Sequence, residues 1–136
     1  MTLLDTSVLI DVSKGDRTPT SRRAQSELLT RLRAGATLFT SRVNEAEFRV
    51  GGYRSKDPAR ENAKIDAVLA ATVILEFDAV AARTFARIKA AVLSVGKFPG
   101  DMDVLIAAVA LANGEPLLTR NPRHFSDIPG LAVESY

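Results

Sequence analysis

Residues 1–12 read "MTLLDTSVLIDV", and one residue within them governs how the rest of the chain is read. Asp5 stands between two apolar runs, Leu3-Leu4 before it and Val8-Leu9-Ile10 after it. The first run is short and without period, as expected of a strand covered on both faces; the second opens a helical segment. A lone carboxylate in buried surroundings is costly unless a partner offsets its charge. Asp5 is therefore either a simple cap or part of a site where a strand hands over to a helix.

Working outward, "TSVLIDVSKG" reads as a helix capped by Thr6 or Ser7 and ended by Gly15. A polar loop, "DRTPTS", leads to a second helix with Ser21 as N-cap, an apolar stripe at Ala24, Leu28, Leu29 and Leu32, and Gly35 past its end. "ATLFTS" is the second strand, and "RVNEAEFRVGGY" a helix bounded by Gly51-Gly52. After a polar turn, an amphipathic helix forms around Ile65, Val68 and Leu69. The β-branched run "TVILEF" is the third strand, and Asp78 caps the long helix after it. "DMDVLIAAVALANG" is a nearly all-apolar helix; "EPLLTRN" holds the fourth strand and "GLAVESY" a fifth. Short apolar strands alternating with helices make βαβ units, hence a parallel sheet covered on both faces. In such sheets ligands bind at the carboxyl ends of the strands, where Asp5 falls.

The 136 residues hold no linker, repeat or low-complexity segment, so residues 1–136 are expected to form a single domain. No apolar run approaches the ~20 residues that span a bilayer, and Asp5 and Asp11 interrupt the first run too early for a secretory signal. With no cysteine the chain has neither disulfides nor thiolate metal sites, and a cytoplasmic, membrane-free location is expected. The net charge of +2 and pI near 9.2 permit a nucleic-acid partner without requiring one. A single histidine, His124, excludes a multi-histidine metal site, so a bound metal must rest on oxygen ligands, which favours magnesium or manganese.

Further acids follow the pattern of Asp5. Glu45 and Glu47 lie two apart on one helix, about 200° around its axis, so they face opposite ways. Val43, Ala46, Glu47 and Val50 share a stripe, which turns Glu47 inward; Glu45 neighbours Arg42 and Arg49 in a solvated ion cluster. Asp101 follows Gly100 as a natural N-cap, whereas Asp103 shares a row with Ile106, Ala107 and Ala110. Asp5, Glu47 and Asp103 thus each sit against apolar sequence without a basic neighbour. Three carboxylates gathered at one sheet edge repel one another, and a divalent cation is the simplest remedy. The chemistry that such a metal centre serves is in-line displacement at a phosphodiester.

Four segments in order, "LLDTSVLID", "EFRVG", "DVLIAAVALANG" and "LLTRNPRHF", resemble the PIN-domain family, and within it the VapC-type toxins of bacterial toxin–antitoxin pairs. The similarity runs from Leu3 to about Val133. It implies a three-layer α/β/α fold around a mainly parallel sheet of four to five strands. It also implies a Mg- or Mn-dependent endoribonuclease leaving 5′-phosphate and 3′-hydroxyl ends. The family's acids fall on Asp5, Glu47 and Asp103, expected as metal ligands directly or through water. The family's fourth polar position falls on Asn121, which brings an amide oxygen but no charge; Asp101 is the alternative source of a fourth acid. Thr6 or Ser7 is expected to orient a water or an acid's second oxygen. The partners implied are an RNA substrate, a cognate antitoxin near Glu47 and the helix of residues 59–70, and a second copy of the chain in a homodimer.

Among the basic residues, Arg120 and Arg123 rank first as RNA contacts because their segment leaves a strand at its carboxyl end; Arg22, Arg23, Arg31, Arg33, Arg42, Arg49, Arg54 and Lys56 read mainly as solvated faces. His124, before Phe125, reads as a helix-start or packing residue. A haloacid-dehalogenase-type phosphatase needs an Asp where Ser7 stands, and a receiver domain needs a Lys that "LLTRN" lacks. The remaining competitor is a PIN-like scaffold that binds RNA or protein without cutting it.

Overall fold

The computed structural model describes residues 1–136. Five strands, β1 (Thr2–Leu4), β2 (Leu38–Ser41), β3 (Val73–Leu75), β4 (Leu117–Leu118) and β5 (Val133–Glu134), form one sheet in the order β3-β2-β1-β4-β5. Every pairing is parallel. Six helices connect or flank them: α1 (Thr6–Ser13), α2 (Pro19–Arg33), α3 (Arg42–Tyr53), α4 (Pro58–Ala70), α5 (Ala79–Ser94) and α6 (Asp101–Ala112).

Successive residues of a strand point to opposite faces, and here that alternation builds two cores. Leu3 and Leu117 join Ile88 and Val92 of α5 and Val104, Ile106 and Val109 of α6 on one face. Leu4 and Leu118 join Val8 and Leu9 of α1, Phe48 of α3 and Ile65 and Leu69 of α4 on the other. The adjacent leucines of β1 are thus each fully buried, in different layers. A continuous apolar run is what such a strand requires.

The chain moves from β1 outward through β2 to β3, then returns to add β4 and β5 on the opposite side of β1. The order therefore reverses between β1 and β4, and a crevice opens beyond their carboxyl ends at such a switch point. Asp5 follows β1 and Thr119-Arg120-Asn121 follow β4, so the topology alone puts these segments side by side.

Several local expectations change. Thr6 and Ser7 are not caps: both lie in the first turn of α1, Asp5 holds the N-cap position without a side-chain cap bond, and the two hydroxyls bond elsewhere. Helix α2 is capped by Thr18, with Pro19 at its first turn and Ser21 completing a reciprocal capping box. Of its apolar stripe, Ala24 is buried whereas Leu29 and Leu32 stay exposed. Asp101 is not a cap either; Gly100 precedes the helix, and Asp101 pairs with Lys89 of α5 at 2.8 Å.

Gly51-Gly52 does not end α3, which continues to Tyr53. The glycine serves helix packing instead. A Cβ on Gly52 would lie 2.8 Å from Ile65 Cδ1 and 3.0 Å from Asn62 Nδ2 of α4. Ile65 is itself buried and cannot swing away cheaply. Gly52→Val is therefore expected to cost roughly 1–3 kcal/mol by forcing the helices apart, read as a lower urea midpoint at an unchanged slope.

Candidate functional site

A cavity of about 600 Å³ opens at the switch point, lined by Asp5, Glu47, Asp103, Arg120, Asn121 and His124 among others. Its acids come from three elements: Asp5 from the end of β1, Glu47 from the middle of α3 and Asp103 from the first turn of α6. Asn121 and His124 belong to the segment after β4, where residues 122–125 make a 3₁₀ turn anchored by buried Phe125.

Asp5 is buried yet held without any cation. Its Oδ2 accepts from Ser7 Oγ and from Thr119 Oγ1, each at 2.8 Å. Asn44 Nδ2 stands 3.5 Å from its Oδ1 and donates to Thr6 Oγ1 at 3.0 Å. Thr6 in turn donates to Glu47 Oε1 at 2.5 Å. A chain of neutral donors thus orients both acids while leaving their charge unneutralised. The same hydroxyls that looked like caps in sequence are the groups that hold the carboxylates.

The Glu45/Glu47 division holds, but by a different face. Arg42 and Arg49 both donate to Glu45, and Arg42 reaches on to Glu76 and Arg49 to Asp66. Burial works against the charge of Glu45, but these guanidiniums hold its carboxyl below the usual range. Glu47 instead shares its face with Ala46 and Val50, both exposed. That stripe lines the cavity rather than the core; the buried face of α3 is Asn44, Phe48 and Gly52. An apolar stripe can border a cleft as well as a core, and periodicity does not separate the two.

Asp103 feels the other acids. Burial raises its pKa first; the charge His124 carries when protonated opposes the shift, and the charges of Asp5 and Glu47 add to it. His124 Nδ1 lies 3.7 Å from Asp103 Oδ2, so this histidine borders the site rather than packing in the core. A raised native pKa means that Asp103 favours the folded state when protonated. That contribution is complete below the ordinary aspartate value of 3.8 and is lost as pH rises through the raised value. Asp103→Asn is accordingly expected to raise the melting temperature of metal-free protein at neutral pH. It should also flatten the pH dependence of stability across the mildly acidic range, measured by thermal denaturation in chelator.

The three acids border one cavity, but no three acidic or histidine side chains close around a common point tightly enough to form a ready-made cage. Asp5 and Glu47 are held to separate walls by their own hydrogen bonds, and Asp103 stands beside His124, as mutual repulsion favours. Such an open oxygen set fits a hard divalent ion that keeps several waters and takes one or two carboxylates, as magnesium does. It does not fit a metal that demands four protein ligands. Asp101 takes no part: its side chain is largely exposed and tied to Lys89 outside the cavity. Asn121 does border it, held by its backbone N–H donating to Thr119 Oγ1 at 3.0 Å.

Asn44, Thr119 and Asp11 escaped the sequence reading. All three are buried. Asn44 at capping-box distance from Ser41 and Thr119 at the end of an apolar strand carried weak local signals. Asp11, six residues after Asp5 in an apolar helix, repeated the anomaly of Asp5 itself. Of the basic residues, Arg31 is tied to Glu27 and Glu134, while Arg120 is bonded to Asp11 at the cavity edge.

The chain matches a model of the PIN domain over residues 2–131. It is similar to a protein named ribonuclease VapC2 from Haemophilus influenzae, 32% identical, with 98% of this chain and 96% of that protein aligned. A tRNA(fMet)-specific endonuclease VapC from Shigella flexneri is 29% identical over the same shares of both chains. Among solved structures, VapBC2 from Rickettsia felis bound to a DNA fragment from its promoter superposes with a TM-score of 0.85 at 25% identity, covering 99% of this chain and 98% of that one.

Proposed function

The chain belongs to the PIN-domain family, and from that premise we propose that it is the toxin of a toxin–antitoxin pair, a metal-dependent endoribonuclease acting as one domain. The observation that carries this reading is the trio of Asp5, Glu47 and Asp103 bordering one cavity, with no lysine or arginine paired to any of them and with Asp5 and Glu47 held by neutral donors. An enzyme that needed these acids only for stability would pair them, as Glu45 is paired.

Asp5, Glu47 and Asp103 would hold magnesium or manganese, directly or through water, with the Asn121 amide as a fourth, uncharged partner. When bound, the ion supplies Lewis-acid activation of water and positive charge for in-line displacement at phosphorus. The chain's own residues prepare the site. Ser7 and Thr119 occupy Asp5 Oδ2 and fix the plane of its carboxylate, leaving Oδ1 with only the long Asn44 contact, while Thr6 sets the orientation of Glu47.

A groove of about 330 Å³ continues from the cavity, sharing Ile10 and Glu47 with it and running past Phe48 to Glu61 and Ile65 of α4. This groove is the proposed seat of the antitoxin, and a homodimer of the chain completes the proposed assembly. No helix is long and apolar enough to cross a membrane.

The test is cleavage of total RNA by purified protein in magnesium, in manganese and in chelator, followed by sequencing of the new ends. Cleavage is expected with either metal and absent in chelator, with 5′-phosphates on the downstream fragments. RNA retained without metal-dependent cutting supports the non-catalytic scaffold instead.

A further inference from the structure

One buried acid takes no part in the proposed chemistry. Asp11 is 1% exposed, in the helix that begins beside the cavity. Its Oδ1 accepts from Arg120 Nη1, and its Oδ2 from the Tyr136 hydroxyl at 2.6 Å. Lys14 Nζ stands 3.8 Å from Oδ1. Burial, together with the bond to Asp11, raises the Tyr136 phenol well above its ordinary value, so it remains a neutral donor.

Arg120 is anchored at both ends. Its backbone N–H donates to Ser7 Oγ at 3.1 Å, and Ser7 Oγ donates to Asp5 Oδ2, placing the Arg120 main chain two hydrogen bonds from Asp5. Its guanidinium is fixed through Nη1 alone; Nε and Nη2 donate to no protein atom, and the side chain, 37% exposed, lines the cavity.

Resting on the nuclease reading, we infer that Asp11, braced by Tyr136, holds Arg120 at the cavity rim as the contact for a backbone phosphate of single-stranded RNA, and keeps it from pairing with Asp5, Glu47 and Asp103. Three carboxylates with one divalent ion still leave a negative charge, which repels a polyanion. A guanidinium with two free N–H edges supplies the charge and the geometry that a phosphate takes. Untethered, the same cation would be free to pair with the unneutralised acids that line the cavity with it. Asp11 outcompetes them because its charge is buried and already shaped by the Tyr136 hydroxyl. A plain structural ion pair does not account for the arrangement: it has no need to leave Nε and Nη2 without a protein acceptor on a side chain that lines the cavity.

The test is binding of a short fluorescein-labelled oligouridylate by anisotropy, in chelator and over a range of salt, with melting temperatures measured in parallel. Arg120→Ala is expected to weaken binding about tenfold and to reduce the salt slope by about 0.7. Asp11→Asn is expected to weaken it to a similar degree by releasing Arg120 onto the acids. The double variant should then bind no worse than Arg120→Ala alone, since the two act through one contact. Arg120→Gln keeps an amide donor for Asp11 while dropping the charge, and carries the prediction of Arg120→Ala without relying on Asp11→Asn folding. Wild-type affinity in Arg120→Gln or Arg120→Ala, or losses that multiply in the double variant, overturn the inference while leaving the nuclease reading intact. A wild type that binds no oligouridylate overturns the inference, whereas the nuclease reading falls only if total RNA is not cut in magnesium or manganese.

Discussion

Asp5→Asn is expected to abolish RNA cleavage, with a loss on the order of 10³-fold or more, and to leave the fold at least as stable as before. The two halves of that expectation come from the same geometry. Asp5 is the acid at the centre of the site: it ends the middle strand of the sheet, and two hydroxyls converge on one of its oxygens. An asparagine keeps the size and an acceptor oxygen for Ser7 and Thr119, so packing is retained. It removes the charge that a divalent ion needs, and with it one source of the repulsion felt by Asp103. Stability and activity should therefore separate: a melting temperature in chelator equal to or above wild type, no response of that temperature to added manganese, and no cleavage. Wild type should show a manganese-dependent rise, since a ligand bound only by the native state stabilises it by mass action. Equal cleavage by wild type and Asp5→Asn would remove this residue from the mechanism.

Phe125→Ala is expected to be the most damaging single core change, costing about 3–5 kcal/mol and lowering the melting temperature by roughly 10–20 °C. Phe125 is the largest of the fully buried side chains, 2% exposed, packed in the core beneath α5 and α6. It is also the anchor of the 3₁₀ turn that carries Asn121 and His124 to the cavity. Emptying that position leaves a void that small neighbours such as Ala107 and Ala110 cannot fill. Because the turn loses its only buried side chain, the site-bordering residues before it should loosen as well. Hydrogen exchange of the backbone amides of residues 119–126 checks this second effect. Faster exchange there than in α3 would show local release in addition to global destabilisation, and uniform change throughout would confine the effect to the core.

Much of this molecule was legible because its local signals agree. The apolar run at Leu3-Leu4, the cap at Asp78, and the strand-helix alternation all place parallel strands between helices, and the acid after the first strand follows from that topology. Glu45 and Glu47 were told apart by helical geometry and charge neighbours alone. The failures are equally specific. The cap reading of Thr6 and Ser7 fails, whereas their other expected role, orienting an acid's oxygen, agrees with their bonds to Glu47 and Asp5, a long-range contact in the first case. Gly52 has the look of a helix end but is a contact between helices. His124 reads as a packing residue because its neighbour Phe125 is one; the two side chains point into different environments.

Residue order and periodicity were enough for the α/β class and the succession of elements, and they singled out Asp5, Glu47 and Asp103 as stranded charges, which the fold brings to one cavity. Strand and helix periods and the cost of stranded charge are properties of a few consecutive residues. The partners of those charges were not readable that way. Thr119 meets Asp5 across 114 positions and Arg120 meets Asp11 across 109, and the acids remain apart on separate walls. Which hydroxyl orients a carboxylate, and which carboxylate captures a guanidinium, depends on distances between segments that no local spacing encodes; those distances are set only when the sheet forms and brings β4 against β1.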